Sequence, residues 1–329
     1  MEFHNFETSR TKIFFVAMTD KGQNKKVQIS STVPPDGFLP YHWNVITPAM
    51  AATAAKNINE TEETRTKGLK VMREILRSDP DIEFTDEDDI LLVFLRSRKF
   101  DGERAAEFFK TGLHYVENYR YLLQRKDPAI LRKFLRTNTF GFLPYRDSKG
   151  RAIIYARADL WDPDEIAAAD CIFGGLISVR SAGDNPVNQV TGFVVLLDLK
   201  GLRIQQIIAM SKWMLFGTVA LQRACPCFMK AFHVINIPSF YKIGWKIVKP
   251  LISEKIRKRF IFHKSQDLNS LYEHLPPDIL PPELGGKLGP FTNDHWASDS
   301  QIDALEKKYY DQLNTNGIIS KRKKAAASR

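Results

Sequence analysis

Few side chains in this sequence could do covalent chemistry, and none of them is assembled for it. Cys225-Pro226-Cys227 sets two thiols too close for a usual zinc pair, and no second Cys/His pair stands at metal spacing. With Cys171 the chain has three cysteines. An odd, low count argues against a disulfide framework and fits a reducing compartment. We read the three as small buried hydrophobes. His233 sits inside a strand-like run, where a hydrogen-bonded core histidine is expected, since a catalytic one needs a nucleophile and an orienting partner. His263 and His274 lack partners at metal spacing. Asp198 closes an apolar run and is expected to anchor the next turn. There is no nucleophile elbow, no P-loop and no dinucleotide fingerprint. The sequence therefore implies no enzyme, no metal and no cofactor.

The chemistry that does stand out is anion binding. Between Lys242 and Lys264 there are eight cations against one acid, Glu254, so eight minus one gives a local charge of +7. The same stretch carries Phe240, Ile243, Ile247, Val248, Leu251, Ile252, Ile256 and Phe260 in or beside it. Net charge over the 329 residues is +10, which points to phosphates on a membrane or a nucleic acid. Nucleic acid fits poorly. Pro250 interrupts the segment, its apolar arc is wide, and no helix-turn-helix, zinc finger or RNP signature appears. A greasy, basic helix suits a protein that takes lipid from an anionic membrane.

The elements around this segment follow from periodicity. Residues 1–60 show no sustained period and are expected to be a disordered or loosely attached extension. Leu69, Met72, Ile75 and Leu76 share a helix face. Ile90, Leu91, Phe94 and Leu95, and then Ala105, Phe108, Phe109 and Leu113, mark two more helices, so 61–130 reads as a helical domain. After Arg136 the grammar changes. Asp147-Ser148-Lys149-Gly150 between extended runs is hairpin chemistry. A helix over 163–182, strand 191–198, helix 203–222, strand 231–236 and the basic helix 238–260 imply an α/β mixed sheet over 131–291. Residues 292–329 form a basic tail expected to end in disorder. No apolar run reaches the roughly 18–20 residues needed to span a bilayer, and Ile13–Ala17 is too short for a confident signal peptide.

Four segments in order carry a family resemblance. They are Ile90-Leu91-Leu92-Val93-Phe94-Leu95-Arg96-Ser97-Arg98-Lys99-Phe100-Asp101, then 192–201 (GFVVLLDLKG), Phe232-His233-Val234-Ile235-Asn236, and Leu280-Pro281-Pro282-Glu283-Leu284-Gly285-Gly286. Together they resemble the CRAL-TRIO lipid-binding family over about 62–291, in its α-tocopherol transfer protein, clavesin and retinaldehyde-binding protein branch. The resemblance implies a mixed sheet flooring an apolar pocket, an amphipathic gate helix at 238–260, and lipid binding without a chemical step.

Carried over by position, the implied pocket is Ile172, Gly175, Val179, Phe193, Val195, Leu197, Cys225 and Cys227, closed by Phe240, Ile243, Ile247 and Leu251 of the gate. Gly175 and Val179 stand where the branch has serines, which removes two handles for a ligand hydroxyl. The resemblance also implies phosphoinositide binding at Arg96, Lys255 and Arg259. A fourth family lysine falls on Phe228, with Lys230 as its substitute. Expected partners are a tocopherol-, retinoid- or phospholipid-like ligand and a phosphoinositide-containing membrane, with no nucleic acid. The expected location is cytoplasmic and peripheral on membranes. A lipid-sensing adaptor without transfer activity is the alternative.

Overall fold

The computed structural model describes residues 37–123, 129–241, 245–246, 249–264 and 268–327. Its first layer is helical. α1 (Pro48–Ile58) starts with Pro48 at its first turn and the Thr47 hydroxyl accepting from the Met50 amide, which satisfies one of the orphan donors of a helix start. α2 (Glu62–Arg77) opens on a capping box between Thr61 and Thr64. β1 (Ile82–Glu83), α3 (Asp88–Ser97) and α4 (Gly102–Asn118) follow. Asp86 does not cap α3. It pairs with Arg73 at 2.6 Å and also with Arg77, tying α2 to the start of α3. Met72, Leu76, Leu91, Leu95, Phe108 and Phe109 interlock as one core.

α5 (Arg120–Leu123) and α6 (Ala129–Arg136) lead into the sheet domain. β2 (Phe140–Phe142) and β3 (Ala152–Arg157) form the expected antiparallel hairpin. Its turn is held by the Asp147 carboxylate, which accepts from the Lys149 and Arg151 amides at 2.9 Å. α7 (Ala168–Ala182) and α8 (Pro186–Thr191) cross over to β4 (Phe193–Asp198), and α9 (Ile204–Arg223) crosses to β5 (Met229–Ile235). Such helical crossovers make β3, β4 and β5 parallel. α10 (Glu254–Arg257) precedes β6 (Phe260–Phe262), which adds a parallel edge strand and completes the order β2-β3-β4-β5-β6.

The period of two divides the sheet cleanly. Ile153, Tyr155, Val194, Leu196, Ala231 and Ile235 face a core closed by Leu271, Leu275, Ile279, Leu280 and Leu284. That cover includes α11 (Asn269–Tyr272) and the Leu280–Gly286 turn. Phe142, Ile154, Phe193 and Val195 face the other way, against α7 and α9. Asp198 accepts from the Lys200 amide at 2.9 Å and the Asn236 amide group at 2.8 Å, the anchoring role its position implied.

Three expectations are corrected. Residues 37–59 belong to the fold. The buried Arg146 guanidinium donates to the carbonyls of Tyr41 at 2.7 Å and Trp43 at 3.0 Å, and Pro40 bridges to Tyr145. Residues 1–36 lie outside the described residues. The C-terminal stretch is ordered too: α12 (Asp299–Thr315), β7 (Gly317–Ile318) and α13 (Ile319–Ala327). β7 pairs with β1, and Arg322 binds Glu117 at 2.9 Å and Glu83 at 2.8 Å. Finally, the basic helix does not run to 260. Lys249–Leu251 is a 3-10 turn containing Pro250, because proline lacks the amide and clashes with the preceding turn. A short helix and then strand β6 replace the rest.

Candidate functional site

The sheet face toward α7 and α9 changes character across its width. Phe193 is 1% exposed, whereas Val195 and Leu197 on the same face are only half-buried. Strand register carries that face on to Phe232 and Phe260 and to Val234 and Phe262. Phe262 is 44% exposed. The floor is sealed at Phe193 and Val234, half-buried at Val195, Leu197, Phe232 and Phe260, and exposed at Phe262 on the β6 edge.

The gate segment rests on that open edge. Tyr241 lies 6.2 Å from Phe262, and Trp245 lies 4.8 Å from Phe260 and 5.2 Å from Phe262. Phe232 stacks on Phe260 at 4.6 Å. Neither Tyr241 nor Trp245 was singled out from the sequence, although their spacing of four on a helical segment is the signal that would have found them. Phe240 is half-buried. Ile243, Ile247 and the side chain of Leu251 lie outside the described residues.

The α7 side is built from small residues. Ile172 packs against Gly217 of α9, where an added Cβ would come within 3.1 Å of it. Gly175 faces open space: a Cβ there would meet nothing nearer than Phe140 at 3.9 Å. Val179 is buried and accepts a long contact from Cys227 at 3.9 Å. The Cys225 and Cys227 sulfurs lie 3.3 Å apart. Their hydrogen bond, helped by Arg180, draws the Cys225 thiol down, and the same bond with burial pushes Cys227 up. Burial raises Cys171 to about 12, so that thiol stays protonated at neutral pH. Among the described residues no group of three potential metal ligands forms a site.

His233 is the hydrogen-bonded core histidine its strand position implied. Its Nδ1 meets His263 Nε2 at 3.0 Å, and His263 Nδ1 meets Ser270 Oγ at 2.8 Å. A charged imidazole at His263 would face a second imidazole where a triad has a carboxylate. Burial, then His263 and His274, hold His233 down to about 3.

Cations converge beside the gate. Lys230 is drawn down by burial first, then by Arg259, Arg151, Lys255 and Lys99. Lys230 Nζ sits 4.7 Å from the Phe228 ring centroid, so the residue standing in the family lysine's place supports its substitute. Arg151 is committed to Asp147 at 2.5 Å, and Arg259 donates to the Met229 carbonyl. Lys99 and Lys255 are exposed and bind no acid among the described residues. Arg96 is not part of this cluster. It is 6% exposed, and its guanidinium is spent on Glu60 at 2.6 Å and on Gln189. Buried arginine needs such a partner. Lys99, at the end of the same helix, takes its place.

A five-stranded mixed sheet carries one apolar face left partly open beneath a basic segment. The chain belongs to the CRAL/TRIO domain family, whose model matches residues 136–286. It is 30% identical over 277 residues to clavesin-2 of Rattus norvegicus, covering 82% of this chain and 83% of that one. It is 29% identical over 266 residues to the alpha-tocopherol transfer protein-like protein of Homo sapiens, covering 80% and 78%. The crystal structure of Sfh5 superposes with a TM-score of 0.46 at 12% identity, over 82% of this chain and all of that one. Members of this family are lipid-binding transfer proteins. No single described helix is long and apolar enough to cross a membrane.

Proposed function

We propose that this protein carries a small hydrophobic lipid between membranes, holding it between the β4–β6 sheet face and the segment that follows Pro238. The observation that supports this most is the incompletely covered sheet face. Phe193 and Val234 are sealed, Val195, Leu197, Phe232 and Phe260 are half-buried, and Phe262 at the β6 edge is exposed. Apolar surface left uncovered costs roughly 25 cal/mol per Å², and a bound lipid removes it from water. Gly175 and Val179 offer no hydroxyl from α7, so the ligand's polar end must be held elsewhere or left in water.

Delivery is directed by Lys230, Lys255 and Arg259, with Lys99 from the helical domain. Four cations with no acidic partner among the described residues repel one another, and a cluster of phosphates relieves that repulsion. A phosphatidylinositol bisphosphate head group is the membrane ligand of matching chemistry. Arg259 suits one phosphate, since a guanidinium forks onto two oxygens. The family membership supports the lipid cargo, and the cation cluster supports a peripheral membrane encounter. The test is transfer of the co-purifying lipid between donor and acceptor vesicles. Transfer that accelerates when the acceptor contains the bisphosphate supports the carrier. Tight lipid loading without transfer replaces it by a lipid-sensing adaptor.

A further inference from the structure

A half-open apolar cleft lies away from the sheet face. It has a volume of about 160 Å³ and sits between α3 and α4 of the helical domain, α7, α9 and the C-terminal helix α12. Phe94, Phe109, Leu113 and Phe216 give it an apolar wall. Of the twelve residues expected around the carried lipid, Cys225 alone borders it. α7 turns Leu176 and Arg180 toward this space, while Gly175 and Val179 are absent from its lining.

Two polar groups break the apolar wall. Tyr309 and Gln312 border the cavity from α12 and, three apart, share one helix face. Neither side chain makes a hydrogen bond among the described residues. The Tyr309 phenol is raised chiefly by burial, so it is a protonated donor. The other polar neighbours are spent. Asn316 accepts from the Thr85 amide at 2.8 Å and donates to the Gln312 carbonyl at 2.9 Å, and Arg180 holds Asp184 at 2.7 Å. Tyr309 and Gln312 thus present a donor and an acceptor at the half-buried rim of an apolar cleft, with no unpaired charge beside them among the described residues.

We propose that this cavity is a second ligand site, for a small neutral molecule with one apolar ring and one hydroxyl or carbonyl, whose polar end meets Tyr309 and Gln312. A cavity of about 150 Å³ holds a single benzene-sized ring, which sets the size class. Because the site joins the helical domain to α7 and α9, an occupant would stiffen that junction. The site is separable from the carrier reading, since Cys225 is the one expected pocket residue it shares and it uses neither the sheet floor nor the cation cluster.

The test is calorimetric titration of the full chain with 4-methylphenol and with toluene. The phenol is expected to bind, and toluene to bind more weakly. Tyr309→Phe is expected to weaken the phenol roughly two- to tenfold, the size of one neutral hydrogen bond, and to leave toluene unchanged. Ala220→Leu, which fills the cavity from α9, is expected to abolish both. If Ala220→Leu fails to fold, Gly112→Ala serves, because a Cβ at Gly112 meets its nearest atom at 3.5 Å. Absence of phenol binding, or binding that survives the filling variant but is lost in Phe193→Asp, overturns the proposal.

Discussion

Consider Lys230→Ala combined with Lys255→Ala. Lys230 lies among Arg259, Arg151, Lys255 and Lys99, and the desolvation and repulsion there draw its ammonium down. Lys255 is exposed and holds no acid. Removing both deletes two cations that no described carboxylate needs. Near an anionic surface each cation contributes about 1 kcal/mol, fading within a Debye length of about 8 Å at physiological salt. Two together amount to about 2 kcal/mol, or roughly 30-fold in vesicle affinity. The fold should not suffer, because relieved repulsion offsets the lost contact of Lys230 with Phe228. Co-sedimentation should therefore show roughly 30-fold weaker binding to vesicles containing a phosphatidylinositol bisphosphate. Binding to phosphatidylserine vesicles of equal surface charge should fall less, and the melting temperature should hold or rise. If the wild type binds both vesicles equally, the cluster is a nonspecific basic face and the reasoning fails.

Four further outcomes follow from named contacts. Phe193→Asp places a charge against a sealed apolar wall at a cost of several kcal/mol, and lipid loading by extraction and mass spectrometry should be lost. Trp245→Ala removes its two aromatic contacts with β6, worth about 0.5–1.5 kcal/mol each, so lipid release in a stopped-flow assay should speed up roughly 5- to 150-fold; an unchanged rate would place the gate elsewhere. Arg96→Ala leaves the half-buried Glu60 carboxylate with only Arg65 at 3.7 Å and should cost about 1–3 kcal/mol in denaturant unfolding, while bisphosphate preference in the surviving protein stays intact. Burial holds His233 at about 3 and His295 at about 4, below the ordinary 6.5. Between those values the unfolded chain binds protons that the folded chain refuses. Stability should be flat above pH of about 6.5 and fall steadily toward pH of about 4. His233→Asn should shallow that slope, and a flat wild-type profile would refute the assignment.

The sequence made some elements plain and hid others, for identifiable reasons. Strands β3 to β5 were legible because buried parallel strands read as continuous apolar runs, and the hairpin because Asp147 and Gly150 carry its turn. Residues 37–59 read as loose because their order depends on Arg146, a charge about 100 positions away whose guanidinium gathers their carbonyls. The C-terminal stretch read as a tail because β1 and β7 are two residues each and pair across most of the chain. β6 was invisible for a related cause. Phe260-Ile261-Phe262 continues a helical apolar pattern, and only pairing with β5 makes it a strand. Arg96 matched a head-group position in one dimension, but the fold places Glu60 beside it. Of the expected site, Phe193, Val195 and Leu197 fell on one face because strand period alone dictates that, and the aromatic seat of Trp245 on β6 needed the strand to be known first.

The most direct test is the lipid content of the purified full-length chain, extracted and quantified by mass spectrometry for the wild type and for Phe193→Asp. A carrier whose cargo lies on the β4–β6 face predicts near-stoichiometric lipid of one class in the wild type and almost none in the variant. Wild-type protein free of lipid, or a folded variant loaded as fully as the wild type, would contradict the account.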